Sequence, residues 1–291
     1  MRKSLGVTLF SVGLLSTSVT LAASITSLGV NTNRQQAPTY QLIREAEDQT
    51  KPLNELGFDQ DEAYVSDIGG YWSYSSLHYY RFTNAGIFGA RVNYANRYGI
   101  GGEQYQLEAY PKLFKNFYFI KDSYLSLTGA ISNTSQRVYP HYQYLIEPYF
   151  SFPCGFEASI GQRFLRTFDV NVYTYTASIG KNIGSNFVWF RPYHYTPKSV
   201  DFFEVGIRHY FDADDTYAAL KAGAGKMPDI GDVPPLNQII ILKTQLITLD
   251  GQMPIRKNIF LKAGVGYMRQ TYNSGNVREI TDGSLGIIWQ F

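Results

Sequence analysis

The chain has 291 residues and a formal net charge of +2, and its 24 Tyr, 19 Phe and 3 Trp make it 16% aromatic. A chain this rich in aromatic residues and this poor in charge is not intrinsically disordered. Its 26 cationic and 24 anionic side chains leave no basic surplus for binding nucleic acid.

The N-terminus has the pattern of a secretory signal peptide. A positively charged start at residues 1–3 precedes an apolar stretch over residues 5–15, and small residues follow at 22–24. Serine and glycine interrupt the apolar stretch well short of the ~18–20 residues that a spanning helix needs, which disfavours the alternative of a membrane anchor. We therefore predict a signal peptide over residues 1–23 and a mature chain outside the cytoplasm.

The next segment, residues 24–52, is polar and shows no strand period. A short helix over residues 40–49 would place Leu42, Ile43 and Ala46 on one side, but a helix of this length is marginal alone. We interpret the segment as a periplasmic tail or a plug of the lumen, with a flexible linker as the alternative.

From residue 53 onward hydrophobicity alternates with a period of two, as it does in β-strands. Between Phe88 and Ala95, for example, apolar and aromatic residues alternate with Gly, Arg and Asn. Turns rich in Gly, Pro, Asn and Asp separate such runs. About fourteen runs fit into residues 53–291, or twelve if the connections are longer.

An outer-membrane barrel explains this composition better than a soluble β-sandwich or a lipocalin-like barrel does. Charged residues make up 17% of the chain, against roughly 25% in soluble domains. In a membrane barrel one strand face meets lipid and the other a polar lumen, and aromatic rings gather at the two interfaces. We predict an all-β fold, a transmembrane antiparallel up-and-down β-barrel of about fourteen strands over residues 53–291.

The last strand carries the most specific pattern. Four apolar residues alternate on one face and the sequence stops at an aromatic residue, which resembles the signal by which outer-membrane barrels are recognised for insertion. This predicts the barrel-assembly machinery, outer-membrane lipid and lipopolysaccharide as partners, and no nucleic acid. The four residues are Leu285, Ile287, Trp289 and Phe291.

Several stretches together resemble the YaiO-type outer-membrane β-barrel family. They are ARVNYANRY at 90–98, EQYQLEAYPK at 103–112, GQRF at 161–164, YTYTASIG at 173–180, FRPY at 190–193 and RHYF at 208–211. The resemblance covers roughly residues 54–291. It implies a barrel in the outer membrane of a Gram-negative bacterium and an association with surface-polysaccharide machinery. It brings no functional residues.

Strand phase predicts which charged residues line the lumen, and bases outnumber acids among them. One interpretation is a water-filled channel or export conduit that favours anionic or polar solutes, with saccharide rings stacking on Tyr110 and Tyr149. The alternative is a structural or interaction barrel closed by paired charges, such as Arg97 with Glu108 and Arg191 with Glu204. The predicted lining residues are Arg91, Arg97, Glu108, Glu147, Glu157, Arg163, Arg191, Glu204, Arg208, Lys221, Lys243 and Lys262.

An outer-membrane hydrolase is the third interpretation. It would need a histidine paired with a nucleophile or an acid, and the spacing of the four histidines selects no such pair. The Asp-rich turn near Asp212 lacks the spaced oxygen ligands of a calcium loop, and the single Cys154 cannot form a thiolate metal site. We therefore predict no enzyme activity, no metal and no cofactor.

Overall fold

The computed structural model describes residues 53–291, with the exception of residues 68, 98, 134–137, 168–169, 197, 212–215 and 230–239. The predicted signal peptide and the predicted tail or plug lie outside the described residues. Within the described part of the chain, no helix has the length and apolar character needed to cross a membrane.

Fourteen antiparallel strands form one closed barrel, and β1 closes it by pairing with β14. All the remaining pairs join strands that are adjacent in sequence, which confirms the up-and-down fold. The barrel has fourteen strands and not the alternative of twelve. The strands are β1 (Asn54–Val65), β2 (Gly70–Thr83), β3 (Gly86–Arg97), β4 (Ile100–Phe117), β5 (Ile120–Ser132), β6 (Tyr142–Ser151), β7 (Phe156–Thr167), β8 (Val170–Ile183), β9 (Asn186–Tyr195), β10 (Val200–Tyr210), β11 (Tyr217–Asp229), β12 (Ile240–Arg256), β13 (Ile259–Thr271) and β14 (Val277–Gln290).

The strands turn their apolar side chains outward and many charged side chains inward, the reverse of a soluble domain. In β10 the exposed side chains are Phe203, Val205 and Ile207, whereas Glu204 and Arg208 are buried. Exposed and buried side chains alternate along the strand because successive residues point to opposite faces of the sheet. This arrangement suits a barrel with lipid outside and polar groups inside.

The outer surface is an apolar band bordered by aromatic rings. Outward-facing charged side chains, such as Glu103 and Arg166, lie toward the strand ends. Exposed rings border one edge of the band and include Tyr94, Tyr105, Tyr142, Tyr144 and Tyr175. Trp289, Phe291, Phe211 and Phe156 are exposed near the other edge.

The two ends of the barrel differ in their connections. At the end where β1 begins, the β2–β3, β4–β5, β8–β9 and β12–β13 hairpins have two-residue turns. The longest connections, residues 133–141 and 230–239, lie at the opposite end. Bacterial outer-membrane barrels have short periplasmic turns and longer extracellular loops. We therefore assign the end where β1 begins to the periplasm and the opposite end to the extracellular side.

The seam between β1 and β14 is closed by backbone hydrogen bonds down to its last residue. The N–H groups of Asn54 and Phe291 each donate to the carbonyl of the other at 2.9 Å, and the Asn54 side-chain amide adds a bond of 3.1 Å to the Phe291 carbonyl. The rings of Trp289 and Phe291 stack at 4.4 Å on the outer face. The role of this strand as an insertion signal remains a prediction.

Candidate functional site

The inward face of the barrel is the candidate site, and it carries the predicted lining residues with one exception. Lys243 is exposed on β12 between the buried Leu242 and Thr244, so it lies on the outer face. The prediction that it lines the lumen is wrong. The inward face of β12 is partly apolar, because Leu242 is buried and Leu246 belongs to a buried hydrophobic cluster with Phe202. Hydrophobicity therefore does not distinguish the two faces of this strand.

Arg91 on β3 is the centre of a hydrogen-bonded network that spans β2 to β4. Its guanidinium lies 3.1 Å from a Glu108 carboxylate oxygen and donates to the hydroxyls of Ser76 and Tyr80, each at 2.9 Å. Glu108 also accepts hydrogen bonds from the hydroxyls of Tyr80 and Tyr110, at 2.7 and 2.6 Å. The carboxylate is thus compensated on several sides, as a buried charge must be.

Asp59 on β1 extends this network across the seam. Its carboxylate lies 3.7 Å from Arg91, 3.6 Å from the His78 ring and 3.8 Å from the Lys262 ammonium of β13. Between them, β14 has Gly286, where a Cβ atom would overlap the Asp59 carboxylate. The missing side chain lets Asp59 and Lys262 approach each other over the intervening strand.

A second network connects β6 to β9. The Arg191 guanidinium contacts both carboxylate oxygens of Glu147, at 3.1 and 3.3 Å, and donates to the Tyr149 hydroxyl at 2.9 Å. The Ser159 hydroxyl of β7 donates to Glu147 at 2.5 Å. A Cβ atom at Gly161 would overlap the Glu147 side chain, so this glycine allows the ion pair to bridge two intervening strands.

The remaining predicted lining residues on β10 and β11 also have partners. Lys221 lies 3.2 Å from the Asp250 carboxylate of β12. Glu204 accepts a hydrogen bond of 3.1 Å from the Trp189 indole. The Arg208 guanidinium lies over the Tyr217 ring, 4.5 Å from its centroid. On this part of the wall Lys221 therefore has an acidic partner, whereas Glu204 and Arg208 contact aromatic side chains.

The last three predicted lining residues on the inward face lie on β3 and β7. The Arg97 guanidinium lies 5.0 Å from the centroid of the Trp72 ring. Glu157 accepts a hydrogen bond of 3.1 Å from the Asn182 amide. Arg163 is half-buried on the same face of β7 as the buried Leu165.

The ion pairs in the structure differ from the two that were expected between adjacent strands, Arg97 with Glu108 and Arg191 with Glu204. Arg191 and Glu204 are directly opposite in the β9–β10 register, yet Arg191 contacts Glu147. Arg97 is opposite Ile100, and Glu108 pairs with Arg91. Long side chains reach across intervening strands that carry Gly or Ser, which strand order alone does not reveal.

Near the extracellular end lies an ion pair that sequence reasoning missed. Arg278 on β14 is fully buried and donates to Asp229 of β11 at 2.6 Å and to Gln270 at 2.9 Å. The sequence does contain a signal for this residue. Side chains alternate along β14, so if Leu285 points outward, Arg278, seven residues earlier, must point inward. Beside it, burial raises the pKa of Tyr272, whose hydroxyl donates to Asp67 at 3.0 Å.

The histidines are distributed around the barrel. The His194 ring lies 2.7 Å from the Asp201 carboxylate on the outer face, and the His209 ring 3.0 Å from the Asn186 side chain. His78 is buried in the lumen between Glu55 and Asp59. None of these three rings is hydrogen-bonded to a hydroxyl or thiol of a described residue. Nor do the described residues include a group of three or more His, Cys, Asp or Glu that could hold a metal ion.

Comparison with known proteins agrees with this architecture. The YaiO membrane β-barrel domain matches residues 53–230, whereas no well-characterised protein gives a significant sequence match.

Several solved structures are similar to this chain at low sequence identity. CymD, a monoaromatic hydrocarbon channel, is 6% identical with a TM-score of 0.51, over 86% of this chain and 93% of CymD. The outer-membrane protein Omp33 of Acinetobacter baumannii is 13% identical with a TM-score of 0.49, over 83% and 99% of the two chains. A bacterial polysaccharide outer membrane secretin is 9% identical with a TM-score of 0.47, over 83% and 99%. At 6% identity the similarity to CymD shows the fold alone.

Proposed function

This chain belongs to the YaiO membrane β-barrel domain family, and we propose that it acts in the outer membrane as a narrow conduit for polar solutes. The observation that carries the proposal is the paired-charge lining, the set of inward ion pairs Arg91–Glu108, Asp59–Lys262, Glu147–Arg191 and Lys221–Asp250. Burying charge is costly when packed apolar residues would serve stability as well. A wall of charges and hydroxyls is the surface that a hydrated solute needs.

The balance of charge favours neutral polar solutes over anions. The sequence-based expectation of a positive excess omitted the inward-facing aspartates, among them Asp59, Asp61, Asp229 and Asp250. Because several cations of the lining are paired with acids and these aspartates offset the charge of the others, the wall has no unbalanced ring of one sign to select ions. Saccharides fit this environment, since their hydroxyl groups can exchange hydrogen bonds with both partners of an ion pair.

The tyrosines that sequence reasoning offered for stacking on sugar rings have other contacts. The Tyr149 ring is stacked on Tyr124 with centroids 4.7 Å apart and planes 3° apart. Tyr110 is buried and donates its hydroxyl to Glu108. The conduit proposed here therefore depends on hydrogen bonding to the paired-charge lining, and export of a surface polysaccharide is its most specific form.

The burial of the lining favours a second candidate, a structural or interaction barrel without transport. Glu147 and Lys221 are each 2% exposed. Side chains this inaccessible must move before a solute can pass, and small barrels commonly fill their interiors with side chains.

Single-channel recording in planar bilayers separates the two candidates. We expect the wild-type protein to give discrete conductance steps. We expect larger steps from the double variant Glu147→Ala/Arg191→Ala, because it removes both partners of one inward ion pair and leaves no unpaired charge. Glu62→Ala, on the exposed outer face, is the control and should leave the step size unchanged. If the wild-type protein gives no steps, the conduit proposal is wrong and the closed barrel is supported.

A further inference from the structure

Three cations lie together on the outer face at the extracellular ends of β11, β12 and β13. Lys226 and Lys243 are direct partners in the β11–β12 register. Arg269 is the partner of Gln245 in the β12–β13 register, which makes it the diagonal neighbour of Lys243. All three side chains are exposed. We call this set the outer cation cluster.

The outer cation cluster forms no close ion pair with a described residue. None of its three members has a carboxylate of a described residue within ion-pairing distance. Two outward acids flank the cluster. Glu279 is directly opposite Arg269 and accepts a hydrogen bond of 2.8 Å from the Tyr267 hydroxyl, and Asp201, which follows on from the Phe202–Gly225 register pair beside Lys226, lies 2.7 Å from the His194 ring. Like charges directly opposite each other destabilise a sheet, so an anion bound between Lys226 and Lys243 would stabilise this pair.

The surface beneath the cluster is mainly aliphatic, with the exposed Tyr267 ring on β13 between Arg269 and Val265. On the same outward face, toward the middle of the membrane, β11 has Ala222 and Ala224, β12 has Ile247 and Leu249, and β13 has Val265. On β3, β4, β6 and β8 the corresponding border carries exposed tyrosine rings. On β11 and β12 cations replace the rings, and an acyl chain could lie flat against the small side chains below.

We propose that the outer cation cluster binds the phosphate groups of a phosphorylated glycolipid of the outer leaflet, with the acyl chains on the aliphatic surface beneath. Neighbouring strands lie ~4.8 Å apart, so the two lysines and the arginine can reach one phosphate group or two adjacent ones. Lysine contributes compact charge and arginine a planar donor pair that matches phosphate. The proposal concerns the outer face and is independent of the conduit.

Lipid A binding to the purified full-length barrel in phosphatidylcholine nanodiscs tests the proposal. Native mass spectrometry would measure the occupancy of bis-phosphorylated lipid A, with its dephosphorylated form as a second probe. We expect Lys226→Gln/Lys243→Gln/Arg269→Gln to bind bis-phosphorylated lipid A about tenfold more weakly or worse, since each cation near a lipid surface contributes to anionic-lipid affinity. Dephosphorylated lipid A should bind weakly to every form of the protein.

Arg166→Gln is the matched control, because Arg166 is an exposed outward cation at the extracellular end of β7, away from the cluster. It should bind lipid A as the wild type does. Heat-modifiable gel migration would verify that each variant is folded. Equal lipid A affinity for the triple variant and the wild type would overturn the proposal. If inorganic phosphate binds the cluster as tightly as lipid A, the site takes free anions and the lipid assignment is wrong.

Discussion

Glu147→Ala is expected to lower the free energy of unfolding of the barrel by about 3–5 kcal/mol, the cost of breaking a buried ion pair by removing one partner. Glu147 is 2% exposed and holds Arg191 through two contacts of 3.1 and 3.3 Å. Without the carboxylate, the guanidinium keeps its hydrogen bond to Tyr149 but remains an uncompensated charge inside the barrel. Denaturant unfolding of the protein in lipid vesicles measures the effect.

A double-mutant cycle isolates the ion pair from the other contacts of Glu147. Glu147→Ala/Arg191→Ala should be clearly more stable than the two single effects added together, because it leaves neither charge unpaired. Glu62→Ala, on the exposed outer face of β1, is the control, with an expected change within about 0.5 kcal/mol. Single effects that simply add would show that the two groups do not stabilise each other.

Leu107→Arg should destabilise the barrel by about 2–4 kcal/mol when it is folded in lipid, because a charge on the lipid-facing surface is most costly near the membrane midplane. Leu107 is 69% exposed and lies on the outward face of β4. In water the same substitution would expose a charge at little cost. Unfolding in vesicles is therefore the relevant measurement.

The control for depth lies on the same face of the same strand. Glu103→Arg places the same side chain nearer the extracellular end of β4, where the expected cost falls to about 0–1 kcal/mol. Equal costs at positions 103 and 107 would mean that the outward face of β4 does not cross a bilayer.

The sequence predicts the fold because the two strand faces differ in polarity over most of the barrel. On β10, outward Phe203 and Val205 alternate with inward Glu204, and phase places each correctly. On β12 the inner wall is apolar at Leu242 and Leu246. Hydrophobicity then does not show which face of β12 points inward, and only the pairing with neighbouring strands does. For this reason the sequence wrongly predicts that the outward Lys243 lines the lumen.

The sequence does not predict which lumen side chains form ion pairs, and the reason is different. The Glu147–Arg191 pair crosses β7 and β8, and it depends on the absence of a side chain at Gly161. Which inward side chains meet depends on strand tilt and register, and period-two alternation fixes neither of them. Sequence reasoning therefore predicted the type of lining but not its ion pairs.

Spin labels placed along one strand test most directly whether the barrel has lipid outside and an aqueous conduit inside. In a Cys154→Ser background, single cysteines at 247, 248, 249 and 250 of β12 would be labelled in vesicles. Residues 247 and 249 are exposed on the outer face, whereas 248 and 250 face inward. We expect oxygen dissolved in the lipid to relax the labels at 247 and 249, and a water-soluble nickel complex to relax those at 248 and 250. Labels without alternation would contradict the barrel, and inward labels shielded from the nickel complex would contradict the conduit.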